Sequence, residues 1–232
     1  MSPKNKHGKL LSIGSDHKTV KGEAHGYLTA IMYLAPAKSA GGRDMCPHRS
    51  PECTRLCLGI TSGLMVTPNV QKAHIEKTRF FLTDPKAFVE QLCNEIGAFV
   101  KRAKRKNMAP CVRLNGTSDI QWEKYGIFER FPNVRFYDYT KFPVRHRTIP
   151  RNYHLTFSNS EKDHSQMWSE EWYGAGVNTA VVFQDELPAT FRGRRVVDGD
   201  KSDLRFLDDL DVIVGLSAKG SAKRAQTGGF VQ

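Results

Sequence analysis

The sequence predicts a single-domain α/β fold built on a mostly parallel sheet. Three observations predict it. Short apolar runs recur along the chain, each run is followed at once by a cluster of polar residues, and segments of helical length separate them. The 232 residues carry 39% hydrophobic side chains, enough for one core, and barrels and open α/β sheets commonly have this length. In such folds a binding site forms beyond the carboxyl ends of the strands.

The elements follow in order. Residues 1–9 read as a loose basic arm, and residues 10–232 as the domain. The run YLTAIMYL (27–34) has strand length. Residues 35–63 are rich in Pro, Gly, Ser and Cys, and a loop that long inside a compact domain usually carries function. Asp84-Pro85 opens a helix, with Asp suited to the N-cap and Pro to the first turn. Phe88, Leu92, Ile96, Phe99, Val100 and Ala103 then recur at helical spacing. The basic run that ends this helix has two readings. Arg102, Lys104 and Arg105 either offset the partial negative charge of the last carbonyls or contact nucleic-acid phosphates.

Five further apolar runs follow, at 111–114, 134–137, 153–157, 179–183 and 211–216. They lead into NGTSD, DYTK, SNSE, QDE and SAKG respectively. Residues 120–131 and 165–173 are the intervening helical candidates.

Charge and cysteine usage narrow the function. Lys and Arg number 35 against 24 Asp and Glu, a formal net charge of +11, which favours a polyanionic partner such as DNA. No apolar stretch reaches the ~18 residues of a membrane span, and no signal core follows the N-terminus, so an intracellular, cytoplasmic protein with no membrane partner is expected. The five cysteines are an odd number in that compartment, which argues against a disulfide framework.

Three of those cysteines fall in one loop, CPHRSPECTRLC, at C-x6-C-x3-C. Cys46, Cys53 and Cys57, with His48 as a possible fourth ligand, can surround Zn²⁺ or hold an iron–sulfur cluster, since thiolates are soft, charged donors. The spacing is neither that of paired zinc fingers nor that of a ferredoxin, and three thiols packed in a loop is the plainer alternative. Asp119 and Asp138 each follow an apolar strand and are the candidate catalytic acids. Two carboxylates at neighbouring strand ends can divide the roles of nucleophile and acid, although a lone Asp there often only caps a turn.

Asn115, Ser118, Lys141, Ser158, Asn159, Glu161 and Lys219 are the polar strand-end residues expected to touch substrate. Lys219, Lys223 and Arg224, in SAKGSAKR after the last strand, suit phosphate, although the Walker pattern is absent. Asp198 to Asp203 (DGDKSD) reads as a Gly-containing turn or, less simply, a cation loop. Trp122, Tyr125, Tyr137, Tyr139, Phe142, Trp168 and Trp172 either stack on a base or close the core.

The stretches RLNGTSDI (113–120), YDYTK (137–141) and DGDKSDLRFLD (198–208) resemble a family of phage-encoded proteins of poorly defined function. The resemblance extends over most of the chain and implies a TIM-barrel-like fold, complete or irregular. The tRNA-guanine transglycosylases and their DNA-acting phage relatives of the DpdA type look like distant relatives. That likeness implies exchange of guanine for a free 7-deazaguanine in DNA, with Asp119 and Asp138 as nucleophile and base and the target base flipped out of the duplex. The placing of Cys46, Cys53 and Cys57 after the first strand is similar to that in radical-SAM proteins, although the C-x3-C-x2-C spacing of that group is not present. A non-catalytic nucleic-acid-binding protein is the third possibility.

Overall fold

The computed structural model describes residues 8–14 and 20–232, and all but the last two residues of the basic arm fall outside them. Among the described residues nine strands form one continuous ladder in the order β1-β2-β3-β4-β5-β6-β9-β8-β7. They are β1 (Leu11–Ile13), β2 (Tyr27–Met32), β3 (Ala109–Arg113), β4 (Arg135–Thr140), β5 (Tyr153–Ser158), β6 (Thr179–Phe183), β7 (Thr190–Phe191), β8 (Arg194–Asp198) and β9 (Ile213–Ser217). Seven strands run parallel, and the short edge strands β1 and β7 are antiparallel to their neighbours. No ladder joins β1 to β7 among the described residues, so the sheet is not closed by hydrogen bonds.

From β2 to β6 each strand lies beside its predecessor. Side chains alternate between faces of a strand, and the two faces differ here. Leu28, Ala30, Met32, Val112, Phe136, Tyr153, Leu155 and Phe157 point to the helix layer, where they form the main core with Phe88, Leu92, Ile96 and Phe99. Those four lie on one face of the long helix α4 (Pro85–Arg105), whose Asp84 N-cap accepts from Ala87 N–H at 2.9 Å. Cys111 and Tyr137 point to the opposite, inner face, where Leu204 packs on them and Phe206 packs alongside. The connection from β8 to β9 therefore fills the inner face of the sheet with residues 203–206.

The remaining helices are α1 (Pro51–Arg55) and α2 (Leu58–Thr61) within the thiol loop, α3 (Pro68–Thr83), α5 (Ile127–Arg130) and α6 (Ser165–Gly174). The apolar side chains of α3 are only weakly segregated to one face, so its sequence does not announce a helix. The β7–β8 hairpin turns through Arg192 and Gly193, both at positive φ (49° and 78°), as a two-residue primed turn requires. No helix among the described residues is long and apolar enough to cross a membrane.

Candidate functional site

The carboxyl ends of the parallel strands surround a pocket of about 850 Å³, well within the range of small-ligand sites. Its wall includes Cys46, Cys53 and Cys57 from the thiol loop, Thr117, Ser118 and Asp119 after β3, Lys141 after β4, Ser158 at the end of β5 and Lys219 after β9. Five residues of the expected set, Ser118, Asp119, Lys141, Ser158 and Lys219, thus share this wall with the three thiols.

The loop after β3 is held by one side chain. Asn115 Oδ1 accepts from Ser118 Oγ (2.9 Å), Ile120 N–H (2.9 Å) and Trp122 Nε1 (3.0 Å), while its Nδ2 donates to Ile120 O (2.9 Å) and, more weakly, to Asp138 Oδ2 (3.4 Å). Asn115 is therefore a buried organiser of the loop and does not reach the pocket. Gly116 lets this loop approach β2. A Cβ there would stand 2.6 Å from Met32 O and 2.6 Å from the Tyr33 ring, closer than any side chain tolerates.

Asp119 lines the pocket. Its Oδ2 accepts from Lys141 N–H at 2.8 Å, and its Oδ1 is buried without a hydrogen-bond partner. Burial raises its pKa, against the Lys141 N–H and the Arg147 charge, which lower it.

Asp138 does not join it. By the strand alternation it shares the helix-facing side with Phe136, one strand face away from the pocket. There Oδ1 accepts from Asn115 N–H (2.7 Å) and Oδ2 from Tyr153 OH (2.9 Å), with Arg113 Nε 4.0 Å away. The expected pairing of two strand-end acids in one pocket is corrected by this placement, because a strand of period two puts positions 137 and 139, not 138, on the inner face.

Burial pushes the Asp138 carboxyl up to about 7, against the Arg113 charge and the Asn115 N–H. A carboxyl that keeps its proton longer folded than unfolded contributes full stability below its unfolded pKa, and that contribution is lost as pH rises towards 7. Wild-type protein is therefore expected to lose stability relative to Asp138→Asn between about pH 4 and pH 7, by at most about 1.4 kcal/mol per pH unit. Urea unfolding of both proteins at pH 5 and pH 8 checks this, and a constant difference across the range contradicts it.

The thiol loop is seated from two sides. Met45 O accepts from Asp119 N–H (2.8 Å), and Glu161 Oε1 accepts from Glu52 N–H (2.8 Å) at the start of α1. Ser50 Oγ caps the same helix by accepting from Cys53 N–H (3.1 Å). Glu161 thus holds the start of α1, the helix that carries Cys53, and is not among the residues that line the pocket. Burial pushes the Cys46 thiol up to about 12 and also raises Cys57. His48 is not with the thiols: its ring lies 4.3 Å from Phe142 and 5.6 Å from Trp168. Among the described residues no three His, Cys, Asp or Glu side chains converge closely enough to hold a single metal ion.

Other expectations divide in the same way. Asn159 is buried off the pocket, where its Oδ1 accepts from Ser165 Oγ (3.2 Å). Lys223 lines the pocket and Arg224 beside it is exposed. Arg102, Lys104 and Arg105 are exposed in the last turn of α4. The chain enters β3 directly afterwards, so these three lie at the amino ends of the strands, opposite the pocket. Trp122, Trp172 and Tyr137 are fully buried, and of the seven aromatic candidates Tyr139 alone lines the pocket.

Sequence reasoning missed several wall residues. Arg113 pairs through NH1 with both oxygens of Asp203 (3.1 Å each), and Tyr137 OH donates to Asp203 Oδ2 (2.9 Å). Asp200 accepts from Ser217 N–H (2.9 Å) and pairs with Lys219. The carboxylates of DGDKSD were visible, but nothing local tells that the segment folds inward. Lys21, Arg49 and Phe230 also line the pocket and stand in stretches without any periodic signal.

No curated protein and no solved structure matches this chain. One family model does, described as Gene product 88, and its match spans residues 9–232. That span takes in the thiol loop, every strand and the whole pocket, in keeping with the phage-encoded family that the motifs resemble. The chain belongs to the Gene product 88 family.

Proposed function

We propose that this chain is an iron–sulfur enzyme of the radical-SAM kind, acting on a phosphate-bearing substrate. The observation that carries the reading is the position of the thiols. Cys46, Cys53 and Cys57 come from one loop, that loop follows the first parallel strand, and all three line one pocket at the carboxyl ends of the strands. The sequential order of β2 to β6, with β9 next, fits an incomplete barrel. Three thiols from one loop are the soft, charged donors that an iron–sulfur group takes.

Cys46, Cys53 and Cys57 would hold that group. A cluster bound there would supply the single electron that reductive cleavage of S-adenosylmethionine needs. The chain's own residues do the rest. Asp119 places a buried carboxyl in the pocket wall, with Lys141 N–H on its Oδ2 and the Arg147 guanidinium 3.9 Å from its Oδ1. Lys21, Lys219 and Lys223 supply positive charge to the same pocket. Leu56, Leu58, Val182, Leu216 and Phe230 give its wall an apolar part, suited to limiting water around the reacting atoms.

The test is incubation of anaerobically reconstituted protein with a strong reductant and S-adenosylmethionine. Formation of 5′-deoxyadenosine is expected, and none from protein carrying its full iron and sulfide overturns the reading.

The chain's charge makes nucleic acid the first substrate to try. Lys219→Ala/Lys223→Ala is expected to weaken oligonucleotide binding about tenfold and to flatten its salt dependence, with each lost phosphate contact lowering the slope by roughly one. Changing Arg102, Lys104 and Arg105 to Ala should leave binding near wild type. Fluorescence anisotropy at several salt concentrations measures both.

The base-exchange reading keeps one specific observation, the Asp119 carboxyl in the pocket wall, but loses Asp138 as its companion. It predicts incorporation of labelled deazaguanine into DNA that Asp119→Ala abolishes. A purely binding protein would instead keep its affinity in that variant and show neither chemistry.

A further inference from the structure

We propose that Lys141 is the fixed countercharge of the thiol pocket, a buried ammonium that offsets the negative charge of a thiolate-held iron–sulfur group and sets how readily that group accepts an electron. The inference rests on the iron–sulfur reading above and assigns a role to a residue which that reading leaves without one.

Lys141 was expected to donate to substrate, and its surroundings leave no donor to spare. It is 8% exposed. Its Nζ donates to Ser158 Oγ (2.7 Å), Asn159 O (3.0 Å) and Ser158 O (3.1 Å), so all three N–H bonds of the ammonium are used. Every one of those acceptors is neutral. Among the described residues no carboxylate oxygen forms an ion pair with Nζ within 4.0 Å, and the Phe230 ring lies 5.2 Å away.

What Lys141 offers the pocket is therefore charge alone, held in one place by the end of β5. The ionisable groups that face it are Cys53, Asp119, Glu161 and Cys46. An ammonium buried without an ion pair is costly. Two of the groups that would relieve it are thiols of the candidate ligand set, and metal binding would hold them as thiolates. Charge near a cluster is one of the factors that set its potential. A fixed cation favours the reduced, more negative state.

The experiment uses the full chain, reconstituted anaerobically with iron and sulfide, and reads iron content and midpoint potential. Lys141→Gln removes the charge and retains an amide that can donate to Ser158 and Asn159. Ser158→Asp leaves the lysine and neutralises it in place, so it decides the question if the first variant does not fold. Both are expected to move the midpoint to more negative potential and to lower iron retention. Lys141→Arg, which keeps the charge, is expected to stay near wild type.

An unchanged midpoint in either neutralised variant at full iron loading overturns the assignment. A shift as large in Lys141→Arg overturns it too, because it would reveal a packing effect. Wild-type protein that takes up neither iron nor sulfide overturns the iron–sulfur reading itself, and this one with it.

Discussion

Asn115→Asp is expected to leave little folded protein. The substitution keeps the acceptor for Ser118, Ile120 and Trp122 but removes both Nδ2 donors, and it sets a second carboxylate beside Asp138. Stranding a buried acceptor costs about 1–3 kcal/mol, and an uncompensated buried charge costs about 3–5 kcal/mol. That is most of the roughly 5–15 kcal/mol that holds a domain together. Chemical denaturation measures the loss. Joining it to Asp138→Asn restores one carboxylate and one amide to the pair, so the double variant should recover part of the lost stability as a coupling of about 1–3 kcal/mol. Additive losses would mean that Asn115 and Asp138 do not act on each other.

The second large effect concerns the thiols one at a time. Ala at Cys46, Cys53 or Cys57 should abolish iron retention while the fold survives. All three are only partly buried, and deleting a partly exposed sulfur opens little cavity. Cys93 and Cys111 are buried and serve as the contrast. Cys111 packs on Tyr137 and Leu204 and meets Thr29 Oγ1 at 3.2 Å, so Cys111→Ala should cost stability and spare iron binding. Iron analysis beside thermal melting separates the two classes. A loss of iron confined to one of the three thiols, or shared with Cys111→Ala, would contradict a joint ligand set.

These two cases also show how much the sequence discloses. Six of the seven parallel strands were legible because each is a compact apolar run with a polar end, whereas β8 (RRVVD) has only two apolar residues and was missed. All six strands from β2 to β6 and β9 lie within a few residues of the runs read from the sequence. The long helix α4 was legible from its one-sided periodicity. Edge strands β1 and β7 were not, since three and two residues carry no pattern. The site was legible as a region, because strand ends are where such sheets place one. It was not legible as a set of roles, because strand phase decides which face a side chain takes. One residue of phase separates Asp138 on the helix side from Tyr139 in the pocket wall. Lys141 and Glu161 reached the site's neighbourhood, but their partners, Ser158 and the start of α1, come from other segments that no local pattern connects.

The central claim is that Cys46, Cys53 and Cys57 act together on one metal group. Iron and acid-labile sulfide, counted per chain in protein purified and reconstituted without oxygen, test it most directly. The account predicts coloured protein with iron and sulfide in near-equal amounts, lost together in each single thiol variant. Colourless protein that holds neither, with its fold intact, would contradict it.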